Sequence, residues 1–376
     1  MDTSSVERCK HCVMPVGVVP VGDEGTCVMC KCDNHKITYR GEEAFVKLLE
    51  EHKARARKND SRYDCIVAVS GGKDSTFAMH QLVRQYRCRV LAFNYNHSFA
   101  ETTARANLER AVTALGVDLV QNNDDAEHRR YLRHNLDKLS RCSPASLRRI
   151  WGLMCTTCND GYAKKALELA RAYRIPLIIQ GGCPVEPDLR FLQVSTTSAH
   201  GSWKLAVIKS ALRELWDVVS EPIFYDPSYH KNVTRHLALS KVCLDMLNPF
   251  KGKKAGDDVA RAHFFQFIEW DEKKIVATLQ RDLGWQRPPG RSSTTRFDCR
   301  VHILLDALTS KALGVSDKEQ MYSMMIRKNM LSRDEGLARI EAETKEEQSL
   351  LEPTVKEVLA KIDAAEDYDR LIRIWK

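Results

Sequence analysis

The sequence predicts an α/β fold: a doubly wound parallel sheet, preceded by a small cysteine-rich module and followed by a small helical domain. Three observations predict it. Short uncharged runs alternate with helical segments across residues 60–180, two Cys-x-x-Cys pairs lie near the start, and helical patterns dominate after residue 250. Strands that alternate with helices across short loops form parallel sheets with helices on both faces.

The chain is 376 residues long, which exceeds the span of one typical hydrophobic core, so we expect more than one domain. The expected division is a cysteine-rich module at 1–40, a connecting helix at 41–59, the sheet domain at 60–250, a helical C-terminal domain at 251–345 and a C-terminal helix at 346–376.

Composition restricts the class of protein. The chain is 43% hydrophobic and 29% charged, with no apolar run long enough to cross a membrane. Residues 1–6 show no secretory signal pattern. We therefore expect a cytoplasmic enzyme with no membrane partner. The net charge of +8 suits a protein that binds anionic nucleotides, and it permits a nucleic-acid substrate without requiring one.

The first 40 residues contain two Cys-x-x-Cys pairs, Cys9/Cys12 and Cys27/Cys30, separated by a glycine- and proline-rich loop. The arrangement resembles a four-thiolate zinc ribbon. A module this short cannot bury enough apolar surface to fold without a metal, so we expect a structural Zn²⁺. Cys32 and His35 are spare ligands, and unliganded thiols are the alternative.

The predicted strands and helices alternate from residue 65 onward. Apolar runs predict strands at Cys65–Val69, Val90–Asn94, Val117–Val120 and Pro176–Gln180. Helical spacing predicts helices at Glu42–Lys58, Thr76–Tyr86, Thr102–Leu115 and Tyr162–Tyr173. Ligands of such sheets bind at the carboxyl ends of the strands, which places 70–75, 94–97 and 180–183 around one crevice. His97 is expected to be a surface loop residue.

The segment Ser70–Ser75 reads Ser-Gly-Gly-Lys-Asp-Ser and joins a buried strand to a helix. Glycines let the backbone approach an anion, and the unpaired N–H groups at a helix start point toward it. The spacing of a Walker loop is absent. The segment therefore predicts a phosphate-binding turn, against the alternative of an ordinary glycine-rich connection.

This segment, directly after a hydrophobic strand, resembles the PP-loop of the ATP pyrophosphatase superfamily, whose members have a HUP-like fold. The resemblance implies that ATP and Mg²⁺ bind, that AMP is transferred to a substrate oxygen, and that pyrophosphate is released. Lys73 would supply a cation, and Asp74 would hold Mg²⁺ or fix the loop. The implied ATP-binding residues are Ser70, Gly71, Gly72, Lys73, Asp74, Ser75, Phe93, Asn94, Gln180 and Gly181.

A third Cys-x-x-Cys pair, Cys155/Cys158, precedes a helix expected to open at Gly161. Thiols at a helix N-terminus have lowered pKa values and ligate metals or act as nucleophiles. The pair resembles that of PP-loop sulfurtransferases, in which a third cysteine completes the ligand set of an iron–sulfur cluster. Cys183 or Cys299 would be that third ligand here. A second zinc site and inert structural thiols are the alternatives.

The order of the parts resembles the N-acetyl-sugar amidotransferases of bacterial surface-polysaccharide biosynthesis, over about residues 1–345. The shared features are the first four cysteines, Tyr63-Asp-Cys65 before the loop, Leu283-Gly-Trp285, and the segment Ser332-Arg-Asp-Glu-Gly-Leu337. The resemblance implies that nitrogen replaces a carbonyl oxygen, with ammonia supplied by a separate glutaminase.

Three functions follow from these patterns. The main interpretation is an amidotransferase that adenylates a carbonyl or amide oxygen of a small molecule such as a sugar. The alternative is an iron–sulfur sulfurtransferase, with a sulfur-donor partner, that acts on a small molecule or tRNA. A non-catalytic nucleotide-binding regulator is the third. The tRNA substrate is not favoured, and a homodimer is left open.

Overall fold

The centre of the fold is a five-stranded sheet. A computed structural model describes residues 6–32, 37–141, 153–185 and 258–375. The strands are β1 Cys65–Ala68, β2 Val90–Tyr95, β3 Asp118–Asn122, β4 Leu177–Gln180 and β5 Ala260–His263. They lie in the order β3-β2-β1-β4-β5, and every neighbouring pair is parallel. The predicted α/β class with a parallel sheet is therefore confirmed.

The strand order reverses at β1, which pairs with β2 on one side and β4 on the other. Ala68, the last residue of β1, lies in register with Phe93 of β2 and Gln180 of β4. Because the three strands end side by side, the segments that follow them meet at one edge of the sheet. A crevice at such a switch point is where ligands of open α/β sheets bind.

Eleven α-helices surround the sheet or follow it in the described residues. They are α1 Val28–Cys32, α2 Glu42–Lys58, α3 Lys73–Arg84, α4 Thr102–Leu115, α5 Ala126–Arg141, α6 Leu153–Ala172, α7 Glu272–Leu283, α8 Val301–Leu313, α9 Asp317–Arg327, α10 Arg333–Lys361 and α11 Tyr368–Leu371. Short 3₁₀ turns lie at Phe264–Gln266, Ala365–Asp367 and Ile372–Ile374. None of the described helices combines the length and the apolar character that crossing a bilayer requires.

The strand β5 was missed by the sequence analysis. It lies in the range 251–345, which was expected to be helical, and it pairs with β4 at the edge of the sheet. Its sequence is Ala-Arg-Ala-His, and Ala262 is its one buried residue. An edge strand with one buried position carries no apolar run, so the pattern that revealed the inner strands is missing.

Two helices differ from the prediction. The helix α6 begins at Leu153 instead of Gly161, so Cys155 and Cys158 lie inside it. The helix α10 runs without interruption across the expected boundary between residues 345 and 346 and continues through Pro353. A proline removes one backbone hydrogen bond of a helix and costs about 3 kcal/mol. The residues that follow it, Thr354, Val355, Val358 and Leu359, are all buried, and their packing offsets that cost.

The N-terminal module packs against the C-terminal helices. The guanidinium of Arg333 in α10 donates to the backbone oxygens of Cys9 and Cys12, and Arg8 pairs with Glu319 of α9 at 2.6 Å. A Cβ on Gly336 would lie 3.6 Å from Val13. The predicted boundary between the sheet domain and the C-terminal domain, at residues 250 and 251, lies within residues 186–257, which are outside the described part of the chain.

Candidate functional site: a phosphate loop, a cavity and two cysteine sets

The Ser70–Ser75 loop turns sharply between β1 and α3. Gly71 has φ +87°, and a Cβ there would lie 1.9 Å from the backbone oxygen of Ala104. Within the loop, Ser70 N donates to Ser75 Oγ and Gly72 N to Ser70 Oγ, both at 3.3 Å. Gly72 precedes the first residue of α3, so the positive end of the helix dipole faces the loop. The turn therefore gathers backbone N–H groups and hydroxyls at the helix start, where an anion would replace these internal hydrogen bonds.

The loop carries its charges in a fixed arrangement. Lys73 Nζ lies 2.7 Å from Oδ2 of Asp74, and the lysine side chain is 1% exposed. Oδ1 of Asp74 accepts a 2.7 Å hydrogen bond from Nε1 of Trp270. Burial acts to lower the pKa of Lys73, but the charges of Asp74, Cys183 and Glu272 outweigh it and raise the pKa. Lys73 is therefore a buried cation held against Asp74.

The segment after β4 touches the loop at Gly181. A Cβ on Gly181 would lie 2.5 Å from the Cα of Ser75 and 2.8 Å from the backbone oxygen of Asp74. Only glycine fits between two backbones at that distance. The structure therefore brings the predicted 180–183 segment against the phosphate loop, whereas the next residue, Gly182, is exposed.

Phe93, one of the residues implied to bind ATP, is part of an aromatic wall. Phe93 packs nearly parallel to Tyr162 with ring centroids 6.3 Å apart, and Gln180 Nε2 donates to the hydroxyl of Tyr162 at 2.7 Å. Asn94 Nδ2 donates to the backbone oxygen of Val69 at 2.6 Å, which ties β2 to the end of β1. Tyr162 was not singled out from the sequence, because one tyrosine on a helix carries no signature.

These parts line one cavity of about 490 Å³ at the carboxyl edge of the sheet. The predicted residues that line it are Ser70, Gly72, Lys73, Asp74, Ser75, Phe93, Asn94, Gln180, Gly181, Cys155, Cys158 and Cys299. Gly71 does not line the cavity, since it faces α4. The crevice predicted from the strand ends thus contains the third cysteine pair as well as the loop.

Three of the four thiols that line the cavity come from two segments. Cys155 and Cys158 project from α6, and Cys299 follows Asp298 in an extended segment that bridges to Ala100. Burial raises the pKa of Cys155 and of Cys158 to about 12. Burial, with the charges of Cys158 and Cys155, raises the pKa of Cys299 as well. The expectation of lowered pKa values was therefore wrong, because burial outweighs the effect of the nearby helix start at Leu153.

Cys183, the other candidate for a third ligand, also lines the cavity. Its charge acts on Lys73 and Tyr39. Cys155 and Cys299 pack against the same apolar cluster, whereas Cys183 packs against a different one. The position of Cys299 therefore fits the pair better than that of Cys183.

Two of the four histidines that line the cavity are buried. His97 is 9% exposed, and His128 is 3% exposed with no hydrogen-bond partner for Nδ1 among the described residues. Their rings meet edge to face at 5.3 Å. Burial lowers the pKa of both, to about 4 for His128. The expectation that His97 is a surface loop residue was wrong, because α5 covers the loop that follows β2.

The C-terminal segment contributes side chains that the sequence analysis assigned no role at the loop. Trp270 contacts Asp74, and Trp285 Nε1 donates to the backbone oxygen of Gly71 at 3.1 Å. A Cβ on Gly72 would lie 3.7 Å from Oδ2 of Asp298. The signals for these residues in the sequence were only indirect. Trp285 belongs to the Leu283-Gly-Trp285 motif, and Asp298 directly precedes Cys299.

The first four cysteines form a separate, buried cluster. Cys9, Cys12, Cys27 and Cys30 have sulfur atoms all within 4.8 Å of one another, and the cysteine, histidine and acidic residues of the described ranges contain no other such group. The Sγ distances are 3.9 Å for Cys9–Cys30, 3.8 Å for Cys12–Cys27 and 3.5 Å for Cys27–Cys30. Zn–S bonds of about 2.3 Å in a tetrahedron separate sulfur atoms by about 3.8 Å. The cluster therefore fits one tetrahedral metal ion.

The surroundings of this cluster suit thiolates. Cys27 N points at Sγ of Cys9 at 3.2 Å, and the guanidinium of Arg327 lies 4.0 Å from Sγ of Cys12. The hydrogen bond to Cys12 raises the pKa of Cys27 to about 12, so the four thiols cannot all ionise without a compensating cation. The side chain of Cys32 and all of His35 lie outside the described part of the chain.

Comparisons with known proteins add a loose structural likeness. The chain matches no protein-family profile and no curated protein. Among solved structures it is similar to the U34-tRNA thiolase NcsA from Methanococcus maripaludis with its 4Fe-4S cluster, at 13% identity and a TM-score of 0.35. The overlap covers 91% of this chain and 88% of that chain. An overlap this loose transfers neither a ligand nor a substrate, so the chemistry has to be argued from the side chains themselves.

Proposed function

We propose that the protein is an ATP-dependent enzyme of the PP-loop type that adenylates a carbonyl or amide oxygen and replaces it with sulfur. The observation that carries the proposal is that Cys155, Cys158 and Cys299 line the same cavity as the phosphate loop. A substrate bound in that cavity meets the nucleotide on one side and the thiols on the other. Nitrogen transfer would not require these three thiols.

The loop supplies the first step. A carbonyl oxygen is a poor leaving group, and AMP makes it a good one: the oxygen attacks the α-phosphorus, the α–β bond breaks and pyrophosphate leaves. The N–H of Gly72, the hydroxyls of Ser70 and Ser75 and the dipole of α3 stabilise the charge that develops on pyrophosphate. Mg²⁺ shares this task. The sulfur donor then forms the C–S bond as AMP departs with the oxygen.

The thiols of Cys155, Cys158 and Cys299 fit a polynuclear cluster better than a single ion. Their sulfur atoms are not all within 4.8 Å of one another, in contrast to the first four cysteines. A tetrahedral zinc needs sulfurs about 3.8 Å apart, whereas an iron–sulfur cluster spreads its thiolate ligands around a larger core. A 4Fe–4S cluster held by three cysteines supplies, when bound, an iron without a protein ligand at which a sulfur donor binds. The Cys9 cluster is the proposed zinc site.

Nitrogen transfer is the second candidate. It is supported by the way separate motifs of the amidotransferase resemblance meet in space. Trp285 contacts Gly71 of the loop, and Arg333 contacts the backbone of Cys9 and Cys12. An amidotransferase would use the same adenylation with ammonia from a glutaminase partner, and Cys155 and Cys158 would be zinc ligands or spectators.

The acceptor is proposed to be a small molecule, with a separate protein as the donor of sulfur. A tRNA acceptor is the alternative. Phosphate contacts make nucleic-acid binding strongly salt-dependent, so retention of tRNA that falls steeply between 50 and 200 mM salt would favour it.

The test is metal and sulfide analysis of protein purified without oxygen, with variants at two cavity cysteines. We expect iron, acid-labile sulfide and visible absorbance in the native protein. Cys299→Ala should lose the iron and keep the zinc. Cys183→Ala, which removes a thiol from the same cavity, should keep both. Native protein that contains zinc and no iron after anaerobic reconstitution would contradict sulfur transfer and favour nitrogen transfer.

A further inference from the structure

The cavity contains two carboxylates among the described residues that line it, Asp74 and Asp298. They differ in their contacts. Both oxygens of Asp74 are engaged, Oδ2 with Lys73 and Oδ1 with Trp270, each at 2.7 Å. No described group donates a hydrogen bond to the side chain of Asp298. Asp298 is therefore the carboxylate with oxygens free for a ligand.

Asp298 is held in place by its backbone. Glu101 N donates to the backbone oxygen of Asp298, and Arg300 N donates to that of Phe99, both at 2.9 Å. These bonds fasten the 298–300 segment to the start of α4. The carboxylate consequently lies beside the loop, with Oδ2 at 3.7 Å from the position a Cβ would take on Gly72.

We propose that Asp298 is the protein ligand of the Mg²⁺ that accompanies ATP, and that Asp74 positions the loop instead. The inference rests on the proposed ATP site. It reassigns a role that the loop motif alone would give to Asp74, and it makes the C-terminal segment part of the nucleotide site.

The chemistry of Mg²⁺ supports this assignment. Mg²⁺ takes oxygen ligands in an octahedron and is bound in nucleotide sites by one or two carboxylates, water and the phosphates. A carboxylate that already accepts from a lysine and an indole would have to give up a charged partner to bind the ion, and the buried lysine charge would then be left unpaired. Asp298 meets the ion without breaking any contact seen in the described residues.

The test measures nucleotide binding as a function of Mg²⁺, without turnover. The probe is an ATP analogue with a methylene group between the α- and β-phosphates, which removes the bond broken in the reaction. Its affinity is measured by calorimetry across a Mg²⁺ series for the native protein, Asp298→Asn and Asp74→Asn. Manganese in place of magnesium allows the bound ion to be followed by its paramagnetic resonance signal.

We expect Asp298→Asn to need at least about tenfold more Mg²⁺ for half-maximal analogue affinity, since loss of a partner of a metal ligand already costs about 10–100-fold. Its affinity for the analogue without Mg²⁺ should not fall, because a neutral side chain repels the anionic triphosphate less than a carboxylate does. Asp74→Asn should bind the analogue more weakly at every Mg²⁺ concentration, with the same Mg²⁺ midpoint.

Two outcomes overturn the proposal. One is an unchanged Mg²⁺ midpoint in Asp298→Asn whose iron content and far-ultraviolet spectrum match those of the native protein. The other is a shifted midpoint in Asp74→Asn alone. Failure of the native protein to bind the analogue at all is a separate result, which contradicts the proposed function itself.

Discussion

Trp270 donates a 2.7 Å hydrogen bond from its indole nitrogen to Oδ1 of Asp74, which lies 196 residues earlier in the chain. The ring also lies 5.3 Å from the ammonium of Lys73. The phosphate loop is therefore not a self-contained turn between β1 and α3. Its two charged residues are held by the segment that follows the edge strand β5.

Removal of the indole N–H should loosen the loop. We expect Trp270→Phe to lower the free energy of unfolding by about 1.5–3 kcal/mol, the range for a hydrogen bond to a charged group, and to weaken ATP binding. Urea unfolding and calorimetry measure the two effects. The control is Trp375→Phe, because Trp375 donates a similar bond to Leu304 away from the loop. It should lose about 1 kcal/mol and keep its ATP affinity. Equal ATP affinities for the two variants would refute the role of Trp270.

Two adjacent glycines test the close approach of β4 to the loop. Gly181→Ala would place a methyl group 2.5 Å from the Cα of Ser75, so the loop backbone has to move. We expect ATP affinity to fall at least tenfold, or about 1.4 kcal/mol. Gly182→Ala is the matched control, since its nearest neighbour would be His263 at 3.8 Å. Native-like ATP binding by Gly181→Ala would show that the loop does not grip the nucleotide in this conformation.

The first cysteine cluster should be a structural metal site. Cys12→Ser should lose one zinc per chain and lower the free energy of unfolding by at least about 3 kcal/mol, a part of the 10–16 kcal/mol that structural zinc binding provides at neutral pH. Zinc analysis and urea unfolding are the measurements. Cys32→Ser, the spare thiol of the sequence, should keep its zinc. Loss of zinc from Cys32→Ser with retention in Cys12→Ser would show that the ligand set is wrong.

Acid should destabilise the protein through His128. Burial lowers its pKa from 6.5 to about 4, so the unfolded chain binds the proton more readily than the folded one. The stability that the neutral ring contributes is present in full above pH 6.5 and is lost as the pH falls toward 4. A shift of this size corresponds to about 3 kcal/mol. In His128→Phe the free energy of unfolding should fall less between pH 7.5 and pH 5. Parallel curves for the two proteins would count against this cause.

The sequence predicts the parts of the site that lie next to each other along the chain. An apolar run followed by Ser70–Ser75 predicts a strand, a turn and a helix, because local backbone geometry decides all three. The cysteine spacing at 9–30 predicts a tetrahedral cluster for the same reason. The edge strand β5 could not be predicted, since a strand with one buried position has no periodic apolar pattern.

Contacts between distant segments could not be predicted. Trp270, Trp285 and Asp298 reach the loop from the C-terminal part of the chain, and no spacing rule connects residues 196 or more positions apart. The pKa of Cys155 was mispredicted because it depends on burial, which tertiary packing decides. The helix α10 continues past Pro353 because the residues beyond it are buried, and their burial also depends on tertiary packing.

The central claim is that nucleotide and cluster share one cavity. Diffraction at the iron edge, from crystals grown without oxygen in the presence of Mg²⁺ and the methylene analogue of ATP, tests it most directly. The account predicts iron among Cys155, Cys158 and Cys299, with the triphosphate on the backbone of Gly72 in the same cavity. An unbound loop, or iron confined to the cluster of Cys9, Cys12, Cys27 and Cys30, would contradict it.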